Sequence, residues 1–446
     1  MSTFAGPVRQ RDALQMPSLR RETPQRNNCV MSMPSAIAVG TEVALLKNLH
    51  LSDGSRAQLA IREGRFRSGP APADGLVLDC AGYLALPAFI DTHMHLDKAL
   101  IRSQLADHDG TLSGAIAASH ERKRRYTEDD VRERAAEVIR SHVRHGTTRI
   151  RSHVDVDTIG GLIPLSGVML AAQDCRHLAE VRTIAFPQEG ILSDPGAARL
   201  MRSALEMGCD LIGGMPHWER TPEDQLEHVR FCFDLAQEFD RDLDLHVDET
   251  DDGAVRTLEM VADEALARGW LGRVTAGHVC SLSAADEGYV KRVIEKCRQA
   301  RMTIVSNPVT NLMIQGRADR GLVRRGTTRI RELRGAGVNL CFGQDCVQDG
   351  FYPFGRGDML EVALISAHAA QLGTSQELDF ALRAVSENAA RAWRLDAYGI
   401  QEGARADLVI YAASSWGEAL TLQPRPEVVL FNGRVVATNH LASALA

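Results

Sequence analysis

The sequence predicts an α/β chain: a TIM-like (β/α)8 barrel with a small β-sandwich domain built from both termini. Three observations predict it. Eight short apolar runs alternate with helix-like stretches between about residues 84 and 347, nearly every run closes on a polar residue suited to acid–base or metal chemistry, and hairpin-like segments flank this region on both sides. Barrel enzymes carry their chemistry at the carboxyl ends of the strands, so the closing residues are expected to meet at one mouth.

In chain order, residues 1–40 carry Arg9, Arg11, Arg20, Arg21 and Arg26 with Pro7, Pro17, Pro24 and Pro34 and little periodicity, which reads as a flexible tail. Such an Arg-rich leader fits a transit peptide in composition but lacks the apolar moment, and a start at Met31 or Met33 competes with both readings. Residues 41–86 alternate Val43-Ala44-Leu45-Leu46, Gln58-Leu59-Ala60-Ile61 and Gly75 to Asp79 with Asp53-Gly54 and Glu63-Gly64, the punctuation of hairpins. The barrel is expected over 87–396, with strands near 84–95, 146–157, 181–190, 209–218, 242–249, 272–280, 301–310 and 337–347 and helices such as Glu128 to His145 and Ala285 to Ala300. The hairpin texture returns in 397–446, at Ala406 to Tyr411 and Val428 to Val436, so the two ends are expected to form one β-domain.

His93 and His95 end the first run at positions i and i+2, which in a strand point to the same face and reach one metal ion. With 15 His in the chain, about half of one such pair arises by chance. The pair gains meaning from His153, Asp155, Gln188, His217, His246, Glu249, His278, Asn307 and Asp345, which close the other runs. A single strand-end histidine is ordinarily a hydrogen-bonded structural residue; the recurrence over eight runs favours a site.

Composition removes several functions. A formal net charge of −7 spread along 446 residues offers no basic face for nucleic acid. The absence of an apolar run of 18 residues argues against a membrane partner. Nine cysteines without a CxxC pair, among them Cys209, Cys232 and Cys341 in runs read as apolar strands, fit reduced core residues of a cytoplasmic protein.

The segments PAFIDTHMHLDK (87–98), RSHVDV (151–156), AFPQEGIL (185–192), LHVDETDD (245–252), RVTAGH (273–278), NPVTNLMIQGR (307–317) and FGQDCVQDGFYPFGRGDML (342–360) resemble the amidohydrolase superfamily. From about residue 41 the chain is similar to the bacterial cytosine deaminases, with partial likeness to the N-isopropylammelide amidohydrolases. The resemblance implies one divalent metal per subunit, Zn2+ or Fe2+, held by His93, His95, His246 and Asp345, with His278 against the metal-bound water and Glu249 as proton shuttle. Dinuclear relatives bridge two metals with a lysine near the fourth strand; Ile212 to His217 offers none, which favours one metal. Members that remove alkylamines from triazines lack the glutamate as a family pattern, so Glu249 favours deamination of a nucleobase-like ring. Gln188 is implied to hold the amide edge of that ring, with Phe186 and Phe351 as candidates against its faces. An aromatic at a strand end is as readily core.

One position departs from the pattern. Cytosine deaminases commonly carry a second aspartate directly after the metal ligand, where this chain has Cys346. A smaller, softly apolar side chain there is expected to admit a 5-substituent and to shift the substrate from cytosine towards 5-methylcytosine. The expected function is therefore metal-dependent deamination of a small nucleobase, in the chemistry of pyrimidine salvage, by a chain with no nucleic-acid or membrane partner and with room for homo-oligomerisation. The alternatives are hydrolysis of an alkylaminotriazine, isoguanine or creatinine, or a scaffold that has lost catalysis.

Overall fold

The computed structural model describes residues 37–106 and 111–439. The tail expected over 1–40 lies almost wholly outside them. Its last residues are docked: Ile37 packs in the core of the small domain and the Gly40 amide donates to the Val435 carbonyl.

Five strands precede the barrel: β1 (Val43–His50), β2 (Arg56–Arg62), β3 (Arg65–Arg67), β4 (Leu76–Asp79) and β5 (Leu84–Pro87). The barrel strands are β6 (Phe89–Met94), β7 (Thr147–Asp155), β8 (Glu180–Phe186), β9 (Leu211–Ile212), β10 (Leu243–Val247), β11 (Val274–His278), β12 (Thr303–Ser306) and β13 (Asn339–Phe342). β14 (Leu408–Tyr411), β15 (Pro426–Phe431) and β16 (Arg434–Thr438) follow.

β6 to β13 pair in sequence order as one parallel sheet. A Met94–Asp345 bridge closes it, with the Asp345 amide donating to the His93 carbonyl at 2.7 Å and the His95 amide to the Asp345 carbonyl at 2.9 Å. Strands covered on both faces favour apolar side chains, which is why most of these segments read as near-continuous runs; β7, with Arg151, His153 and Asp155, is the exception. Helices fill the crossovers. Glu128–Arg144 starts at Thr127, whose side chain accepts from the Asp130 amide, places three acids in its first turn, and buries Val131, Ala135, Val138 and Ile139 on one stripe. Glu287–Gln299 starts likewise at Asp286.

The second sheet runs β16-β15-β14-β5-β1-β2-β3, with β4 on β1. The β5–β14 pair joins the two ends of the chain antiparallel. Glu63-Gly64 and Asn432-Gly433 turn their hairpins with both residues at positive φ, the geometry that matches strand twist.

Three expectations change. The fourth run yields only two strand residues: the Gly213 amide still donates to the Ala185 carbonyl and the Gly214 carbonyl still accepts from the His246 amide, but Pro216 then opens a 3-10 turn. The seventh run stops at Ser306, since Pro308 starts the helix Pro308–Ile314. Cys232 sits on the helix Pro222–Phe239 rather than in a strand, and Cys209 just precedes β9; both are buried, as is Cys341 in β13. Among the described residues no helix is long and apolar enough to cross a membrane.

Candidate active site

Alternation along the strands stacks the barrel interior in polar layers. On β7 the inward residues are Arg151, His153 and Asp155. Arg151 pairs with Asp244 at 3.0 Å, the His153 ring packs on His93 with centroids 4.2 Å apart, and Asp155 meets two lysines above. On β10 the same alternation lifts His246 one layer above Asp244.

Four atoms converge at the mouth. Nε2 of His246 lies 3.2 Å from Nε2 of His93 and 3.1 Å from Nε2 of His95, and Oδ1 of Asp345 lies 3.4 Å from both His93 and His95. His278 joins the group: one donor atom each from His93, His246, His278 and Asp345 falls within 4.8 Å of the others. Burial and then the Lys98 charge push the His95 imidazole well below its ordinary range, and burial with His153 does the same to His246. Burial opposes the Asp345 charge, but His278 and the hydrogen bonds from His93 and His95 hold its carboxyl well below the usual range. A buried carboxylate whose oxygen converges with the imidazole nitrogens of His93, His95 and His246, with no lysine or arginine paired to it among the described residues, is a donor set suited to a cation. The residues fit a single divalent transition metal.

Close packing sets the ligand geometry. Gly277 faces the His93 ring so closely that a Cβ would lie 2.8 Å from its Cε1, and a Cβ at Gly343 would lie 2.7 Å from the Cβ of His93. Both His278 (φ 68) and Asp345 (φ 67) take the left-handed backbone region, a conformation that turns each out of its strand end and that the surrounding contacts must enforce.

Glu249 follows β10 and sits 3.0 Å from Nδ1 of His278 through Oε1, which also accepts from Nδ2 of Asn311 at 2.9 Å. Burial penalises a charge on His278, yet Glu249 and Asp345 beside it push its imidazole up to about 9.

A cavity of about 300 Å3 opens over these groups. Its walls include His95, His246, Glu249, Asp345, Gln188, Cys346 and Phe351. Phe186 is different. It does not line the cavity but stacks behind it on His246, ring centroids 4.1 Å apart, so it supports a ligand ring instead of touching substrate. Burial, Asp345 and Asp349 push the Cys346 thiol well above its ordinary range, which keeps it an uncharged wall.

Other wall residues carry chemistry that strand-end reading left out. Lys98 donates to Oδ1 of Asp155 at 2.8 Å and to Oε1 of Gln188 at 2.6 Å, while Lys123 forms an ion pair with Oδ2 of Asp155 at 2.5 Å and donates to Asp157 at 2.6 Å. Asp155 also clusters with His95 and Asp97, a set that resembles a second metal site, but the two ammonium groups already neutralise it. The signal for Lys98 lay in the HxHxDK run; Lys123 had none, being exposed or buried only by the fold. His217, a strand-end residue left without a role, also lines the cavity, and burial pushes its imidazole down to about 3.

The chain is similar to several known proteins. It superposes on the crystal structure of 5-methylcytosine deaminase from Klebsiella pneumoniae liganded with 5-fluorocytosine with TM-score 0.86 and 35% identity, over 90% of this chain and 99% of that one. It is 32% identical over 389 residues to pterin deaminase of Rhizobium rhizogenes, covering 85% of this chain and 88% of the relative. To N-isopropylammelide isopropyl amidohydrolase of Pseudomonas sp. strain ADP it is 28% identical over 415 residues, 90% of this chain and 98% of the relative. The family model for amidohydrolases matches residues 101–437, and on this match, with the fold and the metal-competent His/Asp cluster, the chain belongs to the amidohydrolase family.

Proposed function

We propose that this protein hydrolytically deaminates an aminopyrimidine nucleobase, cytosine or 5-methylcytosine, to the corresponding oxo-pyrimidine and ammonia. The observation that carries the reading is the convergence of Glu249, Asp345, Gln188 and Cys346 on one cavity, and the likeness to a 5-methylcytosine deaminase supports it. His93, His95, His246 and Asp345 would hold a divalent cation, Zn2+ or Fe2+, which when bound would supply Lewis acidity that brings the pKa of water towards neutrality. Glu249 accepts a proton from the attacking water and delivers it to the ring nitrogen beside the amidine carbon. Once the C–O bond has formed, Glu249 takes the remaining proton from that hydroxyl and passes it to the amine, and as the C=O bond forms the C–N bond breaks and the amine departs as ammonia. His278, held by Glu249 and Asn311, orients the attacking oxygen, and Gln188 fixes the far edge of the ring.

A second reading has its own support. At about 300 Å3 the cavity has room for a fused second ring, and it is lined further by Ser119, His120 and Glu189. Pterin is then the substrate, in keeping with the Rhizobium relative.

Ammonia release from cytosine, 5-methylcytosine, isocytosine, isoguanine, creatinine and pterin tests both. Turnover of the cytosines supports the first reading and turnover of pterin alone the second. No ammonia from any of them by metal-replete protein overturns the deaminase assignment.

A further inference from the structure

Gln188 enters the cavity with one end already engaged. Its Oε1 accepts from Nζ of Lys98 at 2.6 Å, and its Nε2 reaches Sδ of Met215 at 3.4 Å, a weak acceptor that leaves one N–H free. Lys98 is almost fully buried, and its other partner is Oδ1 of Asp155 at 2.8 Å. Burial alone discourages its charge; Asp155 and Asp97 hold the amine protonated.

An ammonium group has three hydrogens and no lone pair, so it meets only the oxygen end of a carboxamide. Turning the Gln188 amide over would set its NH2 against the ammonium and forfeit a charge-assisted hydrogen bond. The backbone behind it is also fixed. Glu219 accepts from the Ile191, Leu192 and Ser193 amides, and its carboxylate leaves no space for a Cβ at Gly190, where one would lie 2.7 Å away.

We infer that Lys98 is a positioning residue that determines specificity: by locking the Gln188 carboxamide with its nitrogen towards the cavity, it commits the site to rings that present an acceptor beside the reacting amidine. Cytosine, 5-methylcytosine, isocytosine and pterin all carry a carbonyl in that place. A ring with an amino group there meets donor against donor. This rests on the reading of Gln188 as the contact to the ring edge.

The test compares cytosine with 2,4-diaminopyrimidine, which replaces that carbonyl by an amine, at a pH where both rings are neutral and with metal content matched. It reads kcat/KM on the active protein and Kd by calorimetry on the Glu249→Gln background. A site built to donate to a carbonyl rejects the analogue by roughly 10^2- to 10^4-fold. Lys98→Met frees the amide to turn and is expected to bring the preference to about 10-fold or less. Gln188→Glu, whose oxygens only accept, is expected to invert it while keeping the Lys98 contact. An absent preference in the native protein, or a ratio unchanged in both variants, overturns the inference. Should neither ring be turned over while the Kd ratio responds as described, the cytosine reading falls and the lock stands.

Discussion

Oε1 of Glu249 faces Nδ1 of His278 at 3.0 Å, and Asn311 ties the pair by donating to the same carboxylate oxygen. The Glu249 carboxylate, the Asn311 amide and the His278 imidazole thus form one hydrogen-bonded unit at the cavity wall. Glu249→Gln keeps its shape and removes its basicity. We expect kcat to fall by on the order of 10^2-fold or more with bound metal unchanged, measured by ammonia release alongside elemental analysis. A near-native kcat would assign the proton transfers to another group.

Chelation is expected to abolish turnover and to lower Tm, and replenishment with Zn2+ or Fe2+ to restore both. An ion that binds only the folded chain adds stability of about 4 kcal/mol at a thousand-fold excess over Kd. Scanning calorimetry of stripped and reloaded protein reads this without reference to activity.

Gly277→Ala inserts a methyl group against the His93 ring. The strain is expected to cost about 1–3 kcal/mol and to lower metal affinity, because the ring that moves is a ligand. Denaturant unfolding and metal titration check the two effects; unchanged metal affinity would mean that the ring yields without leaving the ligand set.

Cys346 is an uncharged wall residue, and Asp349 is close enough to push up its thiol. Cys346→Asp is expected to reduce the ratio of kcat/KM for 5-methylcytosine over cytosine, by roughly 10- to 200-fold, the range one methyl commands in a pocket. An unchanged ratio places the 5-position elsewhere.

Glu219 holds the loop after Gln188. Burial raises its carboxyl, but His228, Ser193 and the loop amides outweigh that and depress it from 4.5 to about 2. A carboxyl with a lower pKa folded than unfolded binds fewer protons in the native state, so its stability is present above about pH 4.5 and is lost as pH falls towards 2. Glu219→Gln is expected to flatten the acid side of the stability profile, read as urea midpoints from pH 6 downwards. An equally steep acid loss in the variant would refute this.

Periodicity exposed most of the barrel because buried parallel strands need unbroken apolar runs, and a strand end carrying His or Asp interrupts such a run visibly. His93, His246, His278 and Asp345 were legible for that reason. β9 was overestimated since the ladder thins to single hydrogen bonds at Gly213 and Gly214 and then gives way to the 3-10 turn at Pro216, which the apolar pattern does not mark. Phe186 looked like a ring contact because its position in the strand is right, but its neighbour across the barrel is His246. Asp155 and Lys98 lay in legible motifs, but their pairing with Lys123 and Asp157 did not show, because charged residues usually mean solvent and only the fold brings these together in the interior.

The bridge between Met94 and Asp345 makes the seam of the barrel and the ligand cluster the same few residues. Ribosomal synthesis delivers His93 and His95 at the start of the barrel and Asp345 near its end, so neither half-grown chain owns a finished site. Until β13 emerges, the first strand has no partner on that edge, and its histidines wait in an open sheet. Closing the last strand pairing therefore completes the barrel and the His/Asp cluster together.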